Sequence, residues 1–265
     1  MLEEFAFLSA CAFAGGVVNS VAGGGTLLTF PALVAVLSRI HGPDEGAVWA
    51  NGTSTVALFP GTIGAVWGFR RELATAKKWL AVLIGPSLVG GLVGSLLVTR
   101  LPAKSFNALV PWLILTAAVL FALQPLIARW IGIGKPHDAP TGRTVVGVTL
   151  FQFLVALYGG YFGAGIGILM LSSLAMMGLA DIHVMNGLKS TLAGVINGMA
   201  AVVFLVEGKV DPPRAGVMAV AGLLGGYAGA SVSRKLNRTL IRWVVICIGF
   251  SLATYYFYRR WCGTG

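Results

Sequence analysis

Glycines interrupt two apolar runs of this sequence, in Val21-Ala22-Gly23-Gly24-Gly25-Thr26-Leu27 and in Gly163-Ala164-Gly165-Ile166-Gly167-Ile168-Leu169. Each glycine costs a helix about 1 kcal/mol relative to alanine, so three of them close together favour a helix break. Hydrocarbon cannot pair the freed backbone groups, and such a break persists only where protein buries it or where it lines a wet cavity. A matching pair of breaks in two halves of a chain is typical of a transporter's binding site.

Composition identifies an integral membrane protein. Of the 265 residues, 57% are hydrophobic and 11% are charged, with a mean hydropathy of +0.85, whereas soluble domains carry roughly 25% charged residues. At roughly 20 residues per crossing, the chain has room for about eight spans and for no sizeable soluble domain. The net charge of +10 is concentrated in short basic clusters between apolar segments, as the positive-inside rule requires, so it does not indicate nucleic-acid binding.

Apolar segments predict an all-α, polytopic helical fold. The two glycine-broken runs cover residues 5–38 and 144–179, and further spans are predicted at 47–69, 79–99, 106–127, 186–206, 215–233 and 239–257. The region between residues 128 and 143 is the most polar and the richest in turn-forming Gly and Pro, so it is the predicted linker. It divides the chain into a first membrane repeat, 1–127, and a second, 144–265.

Two sequence patterns support an internal duplication. Asn51-Gly52 corresponds to Asn186-Gly187, and Gly90-Gly91 corresponds to Gly225-Gly226, both at a shift of 135 positions. Transporter duplications are either inverted or parallel, and we favour an inverted one. The loop Lys and Arg residues divide into 11 on one side of the membrane and 7 on the other for either arrangement, so counting charges does not decide between them.

Lys189 is the one residue among the nineteen Lys and Arg that lies well inside a predicted span. An ammonium group at the centre of a membrane helix costs about 2.5–3.5 kcal/mol, so it should face a partner, a cavity or a bound anion. With a span that starts near residue 186, Lys189 is expected in the first turn, where its stem can also reach the interface. A substrate or coupling role, snorkelling and a structural ion pair all remain open.

Polar residues at the starts of two predicted spans complete the candidate anion site. Uncharged donors near helix N-termini suit an oxyanion because the positive end of the helix dipole favours negative charge. The alternative is ordinary helix capping and interhelical hydrogen bonding. The predicted ligands are Asn51, Thr53, Ser54, Asn186, Lys189, Ser190 and Thr191, together with the backbone N–H groups of Gly23, Gly24, Gly25, Gly163, Gly165 and Gly167.

Other functional classes lack the residues that they need. No His, Asp or Glu falls inside a predicted span, so an intramembrane enzyme would have neither a base nor a metal triad. The same absence argues against a retinal-type receptor, in which Lys189 would need a carboxylate counter-ion. The three cysteines show no CxxC spacing. We therefore expect no enzyme activity, no metal and no cofactor. A non-transporting membrane subunit or receptor of a larger complex remains the alternative.

The paired glycine runs, the Asn51-Gly52-Thr53-Ser54-Thr55 turn and the two Gly-Gly helices resemble the TauE/SafE sulfite exporter family over residues 5–257. The second glycine run departs from the family's triple glycine because Ile166 stands in its middle. The resemblance implies a multi-pass permease of the bacterial inner membrane that exports a small anion, such as sulfite or sulfoacetate. It also implies alternating access between the two repeats. The expected partners are that anion and the bilayer, with homo-oligomer formation left open.

Overall fold

The computed structural model of the chain describes residues 2–21, 24–68, 70–131, 141–179, 181–232 and 238–261. Within these ranges every regular element is an α-helix, which confirms the predicted all-α fold class. The first half contains α1 (Leu2–Val21), α2 (Thr26–His41), α3 (Pro43–Gly68), α4 (Arg70–Thr75), α5 (Lys77–Arg100) and α6 (Ala103–Ile131). The second half contains α7 (Gly142–Tyr161), α8 (Ile166–Met176), α9 (Ile182–Val206), α10 (Pro212–Val232) and α11 (Arg238–Trp261).

Each of the six unbroken predicted spans corresponds to one long helix whose ends agree to within about one helical turn, and each glycine-broken run corresponds to two helices. By length and composition, α1, α5, α6, α7 and α9 qualify as membrane spans among the residues described. This confirms a polytopic helical membrane protein, while the total of about eight crossings stays a prediction. Residues 70–75, which the sequence places in a basic loop, form the short helix α4 because Arg, Glu, Leu and Ala are strong helix formers. Of the predicted linker, residues 132–140 lie outside the described residues.

Ion pairs collect several helix ends at one end of the bundle, which we call the carboxylate end. The pairs are Arg214–Glu4 (2.7 Å), Arg214–Asp211 (2.5 Å), Lys209–Glu45 (2.7 Å) and Arg100–Glu207 (2.6 Å). They place the beginnings of α1, α3 and α10 beside the ends of α5 and α9. All of these pairs except Arg214–Asp211 join the first half of the chain to the second.

A hydrophobic cluster holds the opposite end of the bundle, which we call the basic end. The cluster includes Ala76, Leu83, Val148, Met177 and Met185, all of them buried. It brings together the beginnings of α5, α7 and α9 and the end of α8. The exposed pair Lys77-Lys78 lies beside it at the start of α5.

Corresponding helices of the two halves run in opposite directions. The helix α5 ends at the carboxylate end with Arg100, whereas its counterpart α10 begins there with Arg214. In the same way, α1 begins at the carboxylate end and α7 begins at the basic end. Opposite directions are what an inverted duplication gives. The duplication itself stays a prediction, which this arrangement supports.

Corresponding glycines also make corresponding close approaches between helices. A side chain on any of four glycines would meet the backbone of a neighbouring helix: Phe153 at Gly90, Leu157 at Gly94, Phe13 at Gly225 and Val17 at Gly229. Helix α5 therefore packs on α7, and α10 packs on α1, through small residues, which is the usual way that membrane helices associate. A buried hydrogen bond from Gln152 Nε2 to Ser87 Oγ (2.9 Å) adds to the first of these contacts.

Loss of Arg214 should destabilise the fold more than loss of Arg100. The Arg214 side chain is 15% exposed and binds two carboxylates, so Arg214→Gln leaves Glu4 and Asp211 without their cation. We expect a loss of about 1–3 kcal/mol. Arg100 is 70% exposed, and Arg100→Gln should cost at most about 1 kcal/mol because water screens exposed pairs. Thermal unfolding of the two purified variants measures the difference; equal melting temperatures would contradict it.

Candidate functional site

The second break separates α7 from α8 at residues 162–165. Gly163 (φ +84°) and Gly165 (φ +81°) both adopt the left-handed conformation, which a residue with a Cβ rarely tolerates. The hydroxyl of Tyr158, one turn earlier in α7, donates to the Ala164 carbonyl at 2.8 Å and fixes the loop. The chain thus breaks where the glycines predict it.

The start of α8 presents free hydrogen-bond donors inside the bundle. The backbone N–H groups of Ala164, Gly165, Ile166 and Gly167 have no partner within the described part of the chain. A helix N-terminus carries a partial charge of roughly +0.5. Free N–H groups and this partial charge together make a helix N-terminus suited to anion binding.

The first break lies between α1 and α2, where Gly24 and Gly25 are buried. Gly23, the first of the three predicted glycines, lies outside the described residues. A Cβ on Gly25 would overlap the Gly15 carbonyl and would lie 3.0 Å from the Asn19 Cβ. Glycine therefore allows α2 to fold back closely against α1.

The two breaks lie against the same stretch of α6. A Cβ on Gly24 would lie 2.7 Å from Cζ of Phe121, and one on Gly165 would lie 3.6 Å from Cδ1 of Leu120 and 3.7 Å from Cα of Ala117. Ala117 is in the middle of α6, a helix of 29 residues that spans about 43 Å. Both interruptions thus lie at mid-depth in the bundle.

One turn of α3 is hydrogen-bonded next to both breaks. Asn51 Nδ2 donates to the carbonyl of Tyr161, the last residue of α7, at 2.9 Å. Three residues later, the hydroxyls of Ser54 and Thr29 are 2.6 Å apart, and Thr29 also donates to the carbonyl of Gly25 at 3.3 Å. A movement of α3 would therefore change the surroundings of both breaks together.

The other polar atoms of this turn have different surroundings. Asn51 Oδ1 is buried and has no hydrogen-bond partner among the described residues, a state that costs about 1–3 kcal/mol unless a water or a solute O–H donates to it. Thr53 points away from the breaks, since its Oγ1 accepts the backbone N–H of Asp211 at 3.0 Å, at the carboxylate end.

Lys189 lies deeper in its helix than the sequence indicates. The Asp181 carboxylate caps α9 by accepting the N–H groups of His183 (2.8 Å) and Val184 (3.4 Å), so the helix begins at Ile182 rather than near residue 186. The predicted first-turn position is therefore wrong, and Lys189 occupies the third turn, about 10 Å from the helix start.

The stem of the Lys189 side chain lies against the first turn of α8, next to the second break. Its Cδ would lie 3.3 Å from a Cβ on Gly167, in the first turn of α8. It forms no ion pair with any residue that the structure describes. Of the three roles that the sequence leaves open for Lys189, a structural ion pair has no partner among the described residues. The ammonium is therefore available to a solute near the start of α8.

The remaining predicted ligands of the second half lie on α9. Asn186 and Ser190 are half-buried. Thr191 Oγ1 donates to the Gly187 carbonyl at 2.9 Å, within its own helix. Thr191 thus satisfies its hydroxyl proton locally, as threonines in helices commonly do.

Asn197 belongs near the second break, although sequence reasoning did not single it out. Its Oδ1 would lie 3.8 Å from a Cβ on Gly163. The spacing of Asn186, Ser190 and Asn197 places all three on one face of α9, since residues four and seven apart share a helix face. That polar stripe is the signal that would have identified it.

Among the described residues, no group of three or more His, Cys, Asp or Glu side chains is arranged to hold a metal ion. The polar groups around the breaks are instead backbone N–H groups, hydroxyls, amides and one ammonium. Apart from Asn51 Oδ1 and Asn197 Oδ1, the features that distinguish the region are donors. Such a region has the chemistry of an anion site.

Comparison with known proteins agrees with this architecture. The family model described as "Sulfite exporter TauE/SafE" matches residues 8–256. The chain belongs to this family. As a TauE/SafE protein with several apolar helices, it is a multi-pass integral membrane transporter.

Curated relatives of this TauE/SafE protein are similar over nearly their whole length. A "probable membrane transporter protein" of Haemophilus influenzae is 25% identical over 95% of this chain and 93% of its own. The "probable membrane transporter protein ORF9" of Sinorhizobium sp. is 27% identical, covering 94% and 90% of the two chains. YfcA of Escherichia coli K12, also named a probable membrane transporter protein, is 26% identical over 89% and 83%. No solved structure matches the chain.

Proposed function

We propose that this protein exports a small oxyanion, sulfite or an organosulfonate such as sulfoacetate, and binds it at the start of α8 beside Lys189. One observation carries the proposal. The stem of Lys189 lies against Gly167, its ammonium has no ion-pair partner among the described residues, and neighbouring backbone N–H groups also lack partners there. An unpaired cation at this depth is costly, and a bound anion offsets the cost. The family description, which names sulfite exporters, supports the same class of solute.

The mechanism we propose is alternating access between two inverted repeats. Broken helices whose ends meet at mid-depth are the usual site of such transporters, and one repeat rocks against the other around that site. Two contacts of α3 support this mechanism, since Asn51 is bonded beside the second break and Ser54 beside the first. A rotation of α3 would change both hydrogen bonds together.

We further propose that the protein lies in the inner membrane with its basic end in the cytoplasm. For an inverted arrangement the sequence assigns 11 loop Lys and Arg to one side of the membrane and 7 to the other, and Lys77, Lys78 and Arg143 of the richer set lie at the basic end. The positive-inside rule assigns the richer side to the cytoplasm. Export would then proceed from the basic end toward the carboxylate end.

A panel of anions tests the proposed solute. We expect sulfite and sulfoacetate to raise the melting temperature of the purified protein and to leave sealed proteoliposomes through it, because both offer oxygen acceptors to the donors at α8. Thiosulfate, sulfate and carboxylates define the selectivity, and liposomes without protein give the background leak. If no member of the panel shifts the melting temperature or crosses the membrane, the alternative hypothesis holds, and the protein is a non-transporting subunit or receptor of a larger complex.

A further inference from the structure

Two adjoining cavities open at the carboxylate end, away from the second break. They have volumes of about 300 and 710 Å³ and share Val34, Ser38, Pro43, Tyr256 and Arg259 as lining residues. Helices α2 and α11 line both cavities, and the start of α6 closes the smaller one. We call the combined hollow the vestibule.

Basic side chains outnumber acidic ones in the vestibule. Arg259 lines both cavities, Lys104 lines the smaller and Arg39 the larger, against a single carboxylate, Asp44. Asn107 Nδ2 donates to that carboxylate at 2.7 Å. None of the three cations forms an ion pair within the described ranges of the chain. The walls therefore offer unpaired positive charge, with the hydroxyls of Ser38 and Tyr256 as additional donors.

The vestibule extends along the exposed side of α2. Pro31, Ala35 and Arg39 all line the larger cavity, and residues four apart lie on one helix face. From Arg39 to Pro31 the cavity follows α2 for about 12 Å. The same helix continues to Thr26, next to the first break. The vestibule and the first break thus lie along the same helix.

We propose that the vestibule is a second oxyanion site, distinct from the start of α8, which captures or releases anions at the carboxylate end. Its ligand is an oxyanion group held by Arg39, Lys104 and Arg259. Either a free ion, such as sulfate, or the phosphate of an anionic lipid headgroup presents that group. The site depends on the charge and shape of the vestibule and does not require that Lys189 bind substrate.

Equilibrium binding of radiolabelled sulfate to the purified full-length protein tests the vestibule. Replacing its three cations together, as Arg39→Gln, Lys104→Gln and Arg259→Gln, should lower sulfate affinity at this site at least about tenfold, because it removes all three positive charges and their charge-assisted hydrogen bonds to the ligand. All three side chains are exposed, so the variant should fold, and its melting temperature checks this. Arg129→Gln, which removes an exposed charge near the end of α6 toward the basic end, is the matched control.

Two comparisons separate the outcomes. In the Lys189→Met background, adding the triple substitution should abolish the remaining sulfate binding. If the triple substitution leaves sulfate binding unchanged, the vestibule is not an oxyanion site. If Lys189→Met leaves sulfate binding intact and the triple substitution abolishes it, the vestibule is supported and the site at α8 is contradicted. A lipid is tested in nanodiscs. If phosphatidylglycerol lowers the sulfate affinity of the wild type but not of the triple variant, the occupant is a lipid phosphate. No effect of this lipid identifies the free ion.

Discussion

Lys189→Met should reduce sulfite export at least about tenfold and toward a hundredfold, since the loss of a hydrogen bond to a charged group costs about 1.5–3 kcal/mol. The Lys189 stem lies against Gly167 at the start of α8 and has no ion-pair partner in the described chain, so its ammonium is free for the solute. Initial rates of sulfite efflux from proteoliposomes measure the effect.

The stability of the same variant distinguishes binding from snorkelling. Removing an unpaired ammonium from mid-helix relieves an insertion cost of about 2.5–3.5 kcal/mol, so the melting temperature of Lys189→Met should stay equal or rise while transport falls. Lys189→Arg keeps the charge and should retain part of the flux. Lys78→Met, at an exposed position of the basic end, controls for the loss of one positive charge. Wild-type flux through Lys189→Met would mean that the lysine only reaches the interface and would remove it from the site.

Local chemistry explains why the breaks could be predicted from sequence. Gly163 and Gly165 occupy left-handed conformations that other residues avoid, so glycines at these positions in an apolar run are enough to predict a helix break. The same holds for the long apolar segments that form α5, α6 and α9. The start of α9 was misplaced because its capping residue, Asp181, precedes the apolar run that marks the span.

Contacts between the halves could not be predicted in the same way. The amide of Asn51 reaches the carbonyl of Tyr161, which is 110 positions away, and Arg214 binds Glu4 across 210 positions. Nothing in the local sequence distinguishes Thr53, which binds the backbone at Asp211, from Ser54, which lies beside the first break. The sequence also could not show whether the two halves run in opposite directions, because inverted and parallel arrangements give the same charge count.

Gly94→Ala should prevent α5 from packing on α7 and strongly reduce the yield of folded protein. A Cβ at this position would overlap the carbonyl of Leu157 and would lie 2.8 Å from the backbone nitrogen of Tyr161, so the whole helix backbone must move. Such overpacking costs about 1–3 kcal/mol and occasionally more. Size-exclusion chromatography and thermal unfolding of the purified variant measure the loss.

Gly85 provides the matched control in the same helix. A Cβ on Gly85 meets no atom within 4 Å, and Gly85→Ala should be neutral or stabilising by up to about 1 kcal/mol, since alanine favours the helix. Gly229 is at the position corresponding to Gly94, but the shortest contact of a Cβ there would be with the Ser20 hydroxyl, and the Val17 backbone would be 2.9 Å away. We therefore expect Gly229→Ala to destabilise the fold less than Gly94→Ala. A tolerated Gly94→Ala would show that α5 and α7 can separate without loss of the fold. The close glycine contact would then not be what holds the two halves together.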